Sequence, residues 1–164
     1  MLATIEQART LGLTHVTDNV RERPSFICNC CRCCCELMAG VQLGFHDGIA
    51  KTPFLAVIDP QRCDYCADCI KACNAKGIGI AATARGRKKD ERFAAVDSGI
   101  CLGCGACIDA CEHRAISLVP RPDPAIPPRD RGRLFARVLW EKGRLWPFVV
   151  DRVKQRWYSL GRGV

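Results

Sequence analysis

Fourteen of the 164 residues are cysteine, and their positions carry more information than their number. Cys63, Cys66, Cys69 and Cys73 are spaced C-x2-C-x2-C-x3-C, and Cys101, Cys104, Cys107 and Cys111 repeat that spacing. A different pattern, "SFICNCCRCCCEL" from Ser25 to Leu37, crowds Cys28, Cys30, Cys31, Cys33, Cys34 and Cys35 into one short stretch. Thiols at such density are bridged to one another, lipidated, left reactive or bound to metal. The N-terminal "MLATIEQARTLGLTHV" carries Glu6 early and has no apolar run before a small-residue cleavage site, so it does not read as a signal peptide. The expected compartment is the cytoplasm, where thiols stay reduced and bind metal more readily than they form disulfides. Bridging adjacent cysteines is also strained.

The four-cysteine spacing has a physical reason. Three thiolates two residues apart can wrap a compact loop around three metals of a cubane, with the loop N–H groups turned toward the sulfurs. The fourth cysteine starts a short helix that carries it away from its own loop. Structural zinc is the rival occupant, but it usually takes two separated C-x2-C pairs rather than two complete runs of four.

Both runs belong to an internal repeat with an offset of 38 residues. "AVIDPQRCDYCADCIKACNAKGIGI" lies over "AAVDSGICLGCGACIDACEHRAISL", matching Asp59 with Asp97, Ile70 with Ile108, Ala72 with Ala110 and Ile78 with Ile116. Over about residues 54 to 119 the sequence resembles the bacterial-type ferredoxin family with two [4Fe-4S] clusters. The resemblance implies crossed ligation: Cys63, Cys66, Cys69 and Cys111 would hold one cluster, and Cys101, Cys104, Cys107 and Cys73 the other. There is one departure, because the proline that usually follows the fourth cysteine is replaced by Asn74 and Glu112. An acidic Glu112 beside a cluster would disfavour adding an electron.

Beside two such motifs, iron is the expected occupant of the N-terminal cysteines as well. "GLTHVTDNV" followed by "SFICNCCRCCC" and the ferredoxin module resembles, over about residues 2 to 119, a group of longer iron–sulfur proteins from anaerobes and related bacteria. That resemblance implies electron transfer and assigns no ligands. Six side chains radiating from so short a stretch cannot all serve one cubane, so the expectation is a third iron–sulfur cluster using about four of Cys28, Cys30, Cys31, Cys33, Cys34 and Cys35. His15 is a candidate further ligand, against a structural role at a helix end.

The elements that must position these ligands read as an α+β fold. Short strands are expected at 54–59, 78–83, 92–97 and 115–120, with helical turns near 67–73 and 105–111. "ARGRKKDER" between the halves reads as a solvated hairpin tip and lacks the interleaved aromatics of a nucleic-acid surface. The expected divisions are a helical and cysteine-rich segment (1–50), a two-cluster ferredoxin domain (51–119), a proline-rich linker (120–132) and an amphipathic tail (133–164). The tail reads as two short helices broken near Gly143 and Pro147, with Trp146, Val149, Val150, Val153 and Trp157 at helical spacing in the second. It would pack back on its own domain, dock a partner or lie on a membrane surface.

The formal charge of +8 is concentrated at one end, since residues 129–164 hold ten basic and three acidic side chains. Two cubanes on four thiolates each would lower the total to about +4, leaving an acidic body and a basic tail. No uninterrupted apolar stretch approaches the ~20 residues that span a bilayer. Nothing offers a nucleophile–base pair, a phosphate loop or a dinucleotide fingerprint. The sequence therefore reads as a non-enzymatic electron carrier, a ferredoxin-like subunit serving a redox partner such as a flavin- or metal-containing oxidoreductase. The rival reading is a sensor of oxidant or iron status with a labile N-terminal cluster.

Overall fold

The computed structural model describes residues 2–82 and 92–160. The elements are, in chain order, α1 (Leu2–Thr10), β1 (Thr14–Thr17), β2 (Ile27–Cys30), α2 (Glu36–Gln42), β3 (Phe54–Ile58), α3 (Asp68–Ala72), β4 (Ile78–Ala82), β5 (Arg92–Val96), α4 (Ala106–Asp109), β6 (Ile116–Pro120), α5 (Arg131–Glu141) and α6 (Leu145–Leu160). Helices and small antiparallel strand pairs together make an α+β protein. The charged segment expected at the hairpin tip lies outside the described residues, apart from Arg92. Among the described residues no helix is long and apolar enough to cross a membrane.

The sequence repeat is also a structural repeat. Moving β3 and β4 along the chain by 38 residues gives β5 and β6, and α3 falls on α4. The halves pair by exchange: β3 runs antiparallel to β6, and β4 antiparallel to β5. Each four-cysteine loop opens with the same turn, in which Asp59 Oδ1 accepts from Gln61 N (2.9 Å) and Asp97 Oδ1 accepts from Gly99 N (2.7 Å). The backbone N–H groups of Asp59 and Asp97 in turn reach across to Ala115 O and Gly77 O of the opposite half.

Two compact units divide the chain. The first comprises residues 1–17 and 26–126, and the second 18–25 and 127–164. The first unit has two small cores. One is built from Ala56, Cys69, Ile78, Ala94, Cys101, Cys107 and Ile116, of which three pairs are repeat equivalents and three members are cysteines. So little aliphatic filling suits a fold in which inorganic centres supply part of the interior. The other gathers Cys30, Met38, Val41 and Ile49 from the N-terminal segment against Ala75 and Leu102. Among the described residues, Met38 and Val41 are the largest fully buried side chains.

The proline-rich stretch is structured at its start. Pro120 closes β6, and Arg121 clamps the second four-cysteine loop by donating to Thr52 O, Ser98 O and Cys101 O. The extended connection therefore begins after Pro120, one residue later than expected, because β6 pairs through Pro120 with Phe54.

In the second unit, Arg21 N and Glu22 N donate to Pro128 O and Arg129 O, and Arg129 pairs with Glu22 at 2.8 Å. Asp130 caps α5 by accepting from Arg133 N at 2.9 Å. The helix ends in a Schellman turn: Gly143, at φ 65°, donates to Trp140 O, and Arg144 N donates to Leu139 O. Pro147 does not break the tail as expected. It lies in the first turn of α6, where its missing N–H has no intrahelical partner to lose. Phe135 meets Phe148 edge-on at 5.2 Å, and Trp146, Val149, Val153 and Trp157 are exposed.

Candidate metal centres

Two cavities flank the exchanged strands. Cys63, Cys66 and Cys69 line the first together with Cys111 of the other half. Cys101, Cys104 and Cys107 line the second together with Cys73. The exchange of strands is the cause. The strand after each fourth cysteine pairs with the strand that opens the other half, so the cysteine is delivered to the other half's loop.

The loops are turned inward by left-handed backbone at equivalent positions. Tyr65 and Gly103 have φ of 63° and 72°, and Ala67 and Gly105 have 66° and 82°. Glycine serves both positions in the second loop, whereas the first loop bears side chains there at a cost of order 1–3 kcal/mol each. A Cβ on Gly103 would drive into Phe54 O and Thr52 Oγ1, so this position excludes side chains on two grounds.

Each fourth cysteine receives a backbone donor: Gly77 N to Cys73 Sγ at 3.2 Å, and Ala115 N to Cys111 Sγ at 3.4 Å. These donors favour thiolate and suit a metal–sulfur site. Burial works the other way on the free thiols. It pushes Cys69 up to about 11, with the charges of Cys63, Cys66 and Cys111 adding to the rise. Burial likewise pushes Cys107 up to about 12, aided by Cys104, Cys73 and Cys101. Four thiols that share a mostly apolar cavity, with no lysine or arginine in its lining, ionise together most readily when metal replaces their protons. The donor sets thus fit iron–sulfur clusters. Neither set brings three sulfurs within 4.8 Å of one another, although Cys66 lies that close to Asp64 and His113.

The two mouths differ in ways the cysteine pattern does not reveal. Asp64 and His113 line the first cavity and pair at 2.9 Å, whereas the equivalent positions of the second are Leu102 and Ala75, buried in the second core. Asn74, the departure from the usual proline, is buried and donates to Gly12 O (2.8 Å) and Thr14 Oγ1 (2.9 Å). The Thr14 hydroxyl then points to Cys104 Sγ at 3.6 Å. An asparagine where proline is usual was the one sequence signal for this contact.

The six N-terminal cysteines do not form one group. Cys30 is buried, and burial followed by its neighbour Cys35 pushes its thiol up to about 12. Cys31, Cys33 and Cys34 instead gather at the surface with their sulfurs within 4.8 Å of one another. There the N–H of Cys34 and the Cys33 side chain hold Cys31 down to about 7, while Cys33 raises Cys34 to about 11. Cys28 is exposed on β2. His15 Nδ1 lies 2.8 Å from Asn29 Oδ1, its partner across β1 and β2. Side chains alternate along a strand, so His15 and Asn29 occupy the face opposite Cys28 and Cys30.

A family model for the 4Fe-4S binding domain matches residues 94–117, which hold Cys101, Cys104, Cys107 and Cys111. A search of curated proteins finds no match. The matched segment and the thiol geometry support at least one [4Fe-4S] cluster and an iron–sulfur electron-transfer role.

Proposed function

We propose that the protein is a two-cluster ferredoxin-like subunit that relays single electrons within a larger oxidoreductase. The observation that carries this reading is the pair of cavities, each lined by three cysteines of one half and the fourth of the other. Cys63, Cys66, Cys69 and Cys111 hold one [4Fe-4S] cluster, and Cys101, Cys104, Cys107 and Cys73 the other. Bound there, each cluster supplies a one-electron redox centre.

The protein's own residues do the rest. Ile58 and Ile116 help keep water from the first site, and Ala56, Ile78 and Leu102 from the second. The N–H groups of Gly77 and Ala115 stabilise thiolate charge. Of the two, the first site presents a polar, half-exposed Asp64–His113 pair to solvent, which suits it to exchange with a redox partner. The second is backed by the N-terminal segment, where Cys30 and Cys35 pack on the same core as Cys73. The surface thiols Cys31, Cys33 and Cys34 add a third metal–thiolate centre. Catalysis belongs to the partner, and the exposed Trp146 and Trp157 of α6 offer an anchor to it or to a membrane surface.

The test is anaerobic iron and sulfide analysis with low-temperature spin resonance on wild type and Cys73→Ser. About eight irons in the ferredoxin module are expected, with Cys73→Ser damaging the cluster of Cys101, Cys104 and Cys107 while its sequence neighbours keep theirs. Selective loss of the cluster held by Cys63, Cys66 and Cys69 would refute crossed ligation.

A further inference from the structure

The N-terminal stretch was expected to hold a third iron–sulfur cluster, and the sulfur separations there speak to the kind of centre. Cys33 Sγ lies 3.6 Å from Cys31 Sγ and 3.2 Å from Cys34 Sγ. A single tetrahedral ion with metal–sulfur bonds of about 2.3 Å sets its thiolates about 3.8 Å apart. Thiolates of a cubane sit on different irons and must stand further apart. The same molecule provides the comparison, because neither four-cysteine set brings three sulfurs as close as this trio does.

We propose that Cys31, Cys33 and Cys34 form a binding site for one soft cation, Zn²⁺ or a similar thiophilic ion, with its fourth coordination position open to solvent. The turn between β2 and α2 is built to present these three. Arg32, between the first two ligands, donates to Lys71 O (3.0 Å), a carbonyl in the last turn of α3. Gln42 holds the same turn by donating to Arg32 O (3.0 Å) and Asn74 O (2.9 Å). Cys34 N donates to Cys31 Sγ at 3.3 Å, the type of backbone contact that compensates thiolate charge beside a metal. Cys30 and Cys35 are turned into the core of Met38 and Val41, away from the surface trio.

Soft thiolate ligands select zinc and copper(I) over harder cations. Three protein ligands and a vacant fourth position mark a site that exchanges its ion or accepts an outside ligand, in contrast to a closed four-ligand structural site. The proposal concerns the third centre alone and stands apart from the two four-cysteine sites.

The experiment uses the full chain, purified without oxygen under mild reductant with its iron–sulfur content intact, and Zn²⁺ alone as the probe. Zinc, iron and sulfide are counted per chain, and thiol alkylation is mapped by mass spectrometry with and without one equivalent of Zn²⁺. The expected result is about one zinc per chain with iron and sulfide unchanged, and alkylation of Cys31, Cys33 and Cys34 slowed at least tenfold. Cys33→Ser should weaken zinc binding by about a hundredfold or more, beyond the effect of losing an outer-shell partner, whereas Cys28→Ser should leave it within about threefold. The proposal is overturned if Zn²⁺ leaves the three thiols unprotected or protects Cys28 and Cys30 equally. It is also overturned if Cys33→Ser removes about four irons with their sulfide, which identifies a cubane, or if the trio is recovered as a disulfide. Iron below eight with zinc binding intact would count against the two-cluster reading and leave this site standing.

Discussion

Gly103 and Gly105 occupy left-handed backbone in the second cluster loop, yet they tolerate substitution very differently. A Cβ on Gly105 meets only Leu118 Cδ1 at 3.8 Å, and the equivalent residue of the first loop is already Ala67 at φ 66°. Gly105→Ala should therefore cost about 1 kcal/mol and keep its cluster. Gly103→Ala, whose Cβ has no room against Phe54 O, should cost about 3 kcal/mol or more and reduce iron by about half; thermal unfolding and iron analysis of the two variants distinguish them. Thr14 carries a second prediction at this scale. Its hydroxyl is aimed at Cys104 Sγ, and a donor to sulfur stabilises the more negative, reduced cluster. Thr14→Val should lower the midpoint of the second cluster by roughly 20–60 mV, if the lost bond is worth about 0.5–1.5 kcal/mol. A spin-resonance redox titration in which the midpoint of the first cluster moves instead, or neither moves, would remove this role.

The elements explain why a replaced proline leaves the fold intact. Proline after the fourth cysteine would shape the turn between α3 and β4 but offer no side-chain donor. Asn74 offers two hydrogen bonds there, tying Gly12 and Thr14 to the end of α3, while its own carbonyl receives Gln42. Arg32 adds a further tie to the same helix end through Lys71 O. Asn74→Ala leaves Gly12 O without its donor in a part-buried place, and the expected cost is about 1–3 kcal/mol. The loss should appear locally, as faster amide hydrogen exchange across β1 and β2, with β3 and β6 unchanged. Equal acceleration in both strand pairs would show that Asn74 supports the whole unit rather than the docking of the N-terminal segment.

For the whole molecule, the division into two units sets where a truncation belongs. Cutting after Val119 would remove Arg121, which holds Thr52, Ser98 and Cys101 through their carbonyls, so it would damage the second cluster loop. Removing residues 127–164 instead leaves the first unit whole. That shorter chain should keep the iron content of the full protein and lose association with a partner complex or membrane fraction, because it lacks the exposed Trp140, Trp146 and Trp157. Iron loss on this truncation would show that the second unit is needed for the cluster sites. Unchanged fractionation would show that its tryptophans anchor nothing.

Much of this protein is legible from local spacing. The 38-residue repeat foretold strands that the structure places within a residue of expectation at 54–58, 78–82, 92–96 and 116–120, because ligand loops and short alternating strands are specified by near neighbours. The tail helices were also legible, although Pro147 marks a helix start and not a break, a distinction that depends on which N–H groups lack partners. Tertiary structure decided the rest. Which fourth cysteine lines which cavity follows from the exchange of β4 and β6 between halves, a pairing of residues far apart in the chain. The separation of five of the six crowded thiols into an outward trio and an inward Cys30 and Cys35 depends on burial against Met38 and Val41, which spacing alone cannot express. The partners of Asn74 and Thr14 lie about 60 to 90 residues away. Contacts of that range are set by which surfaces exclude water together, and a linear pattern records only the residues that will be asked to do so.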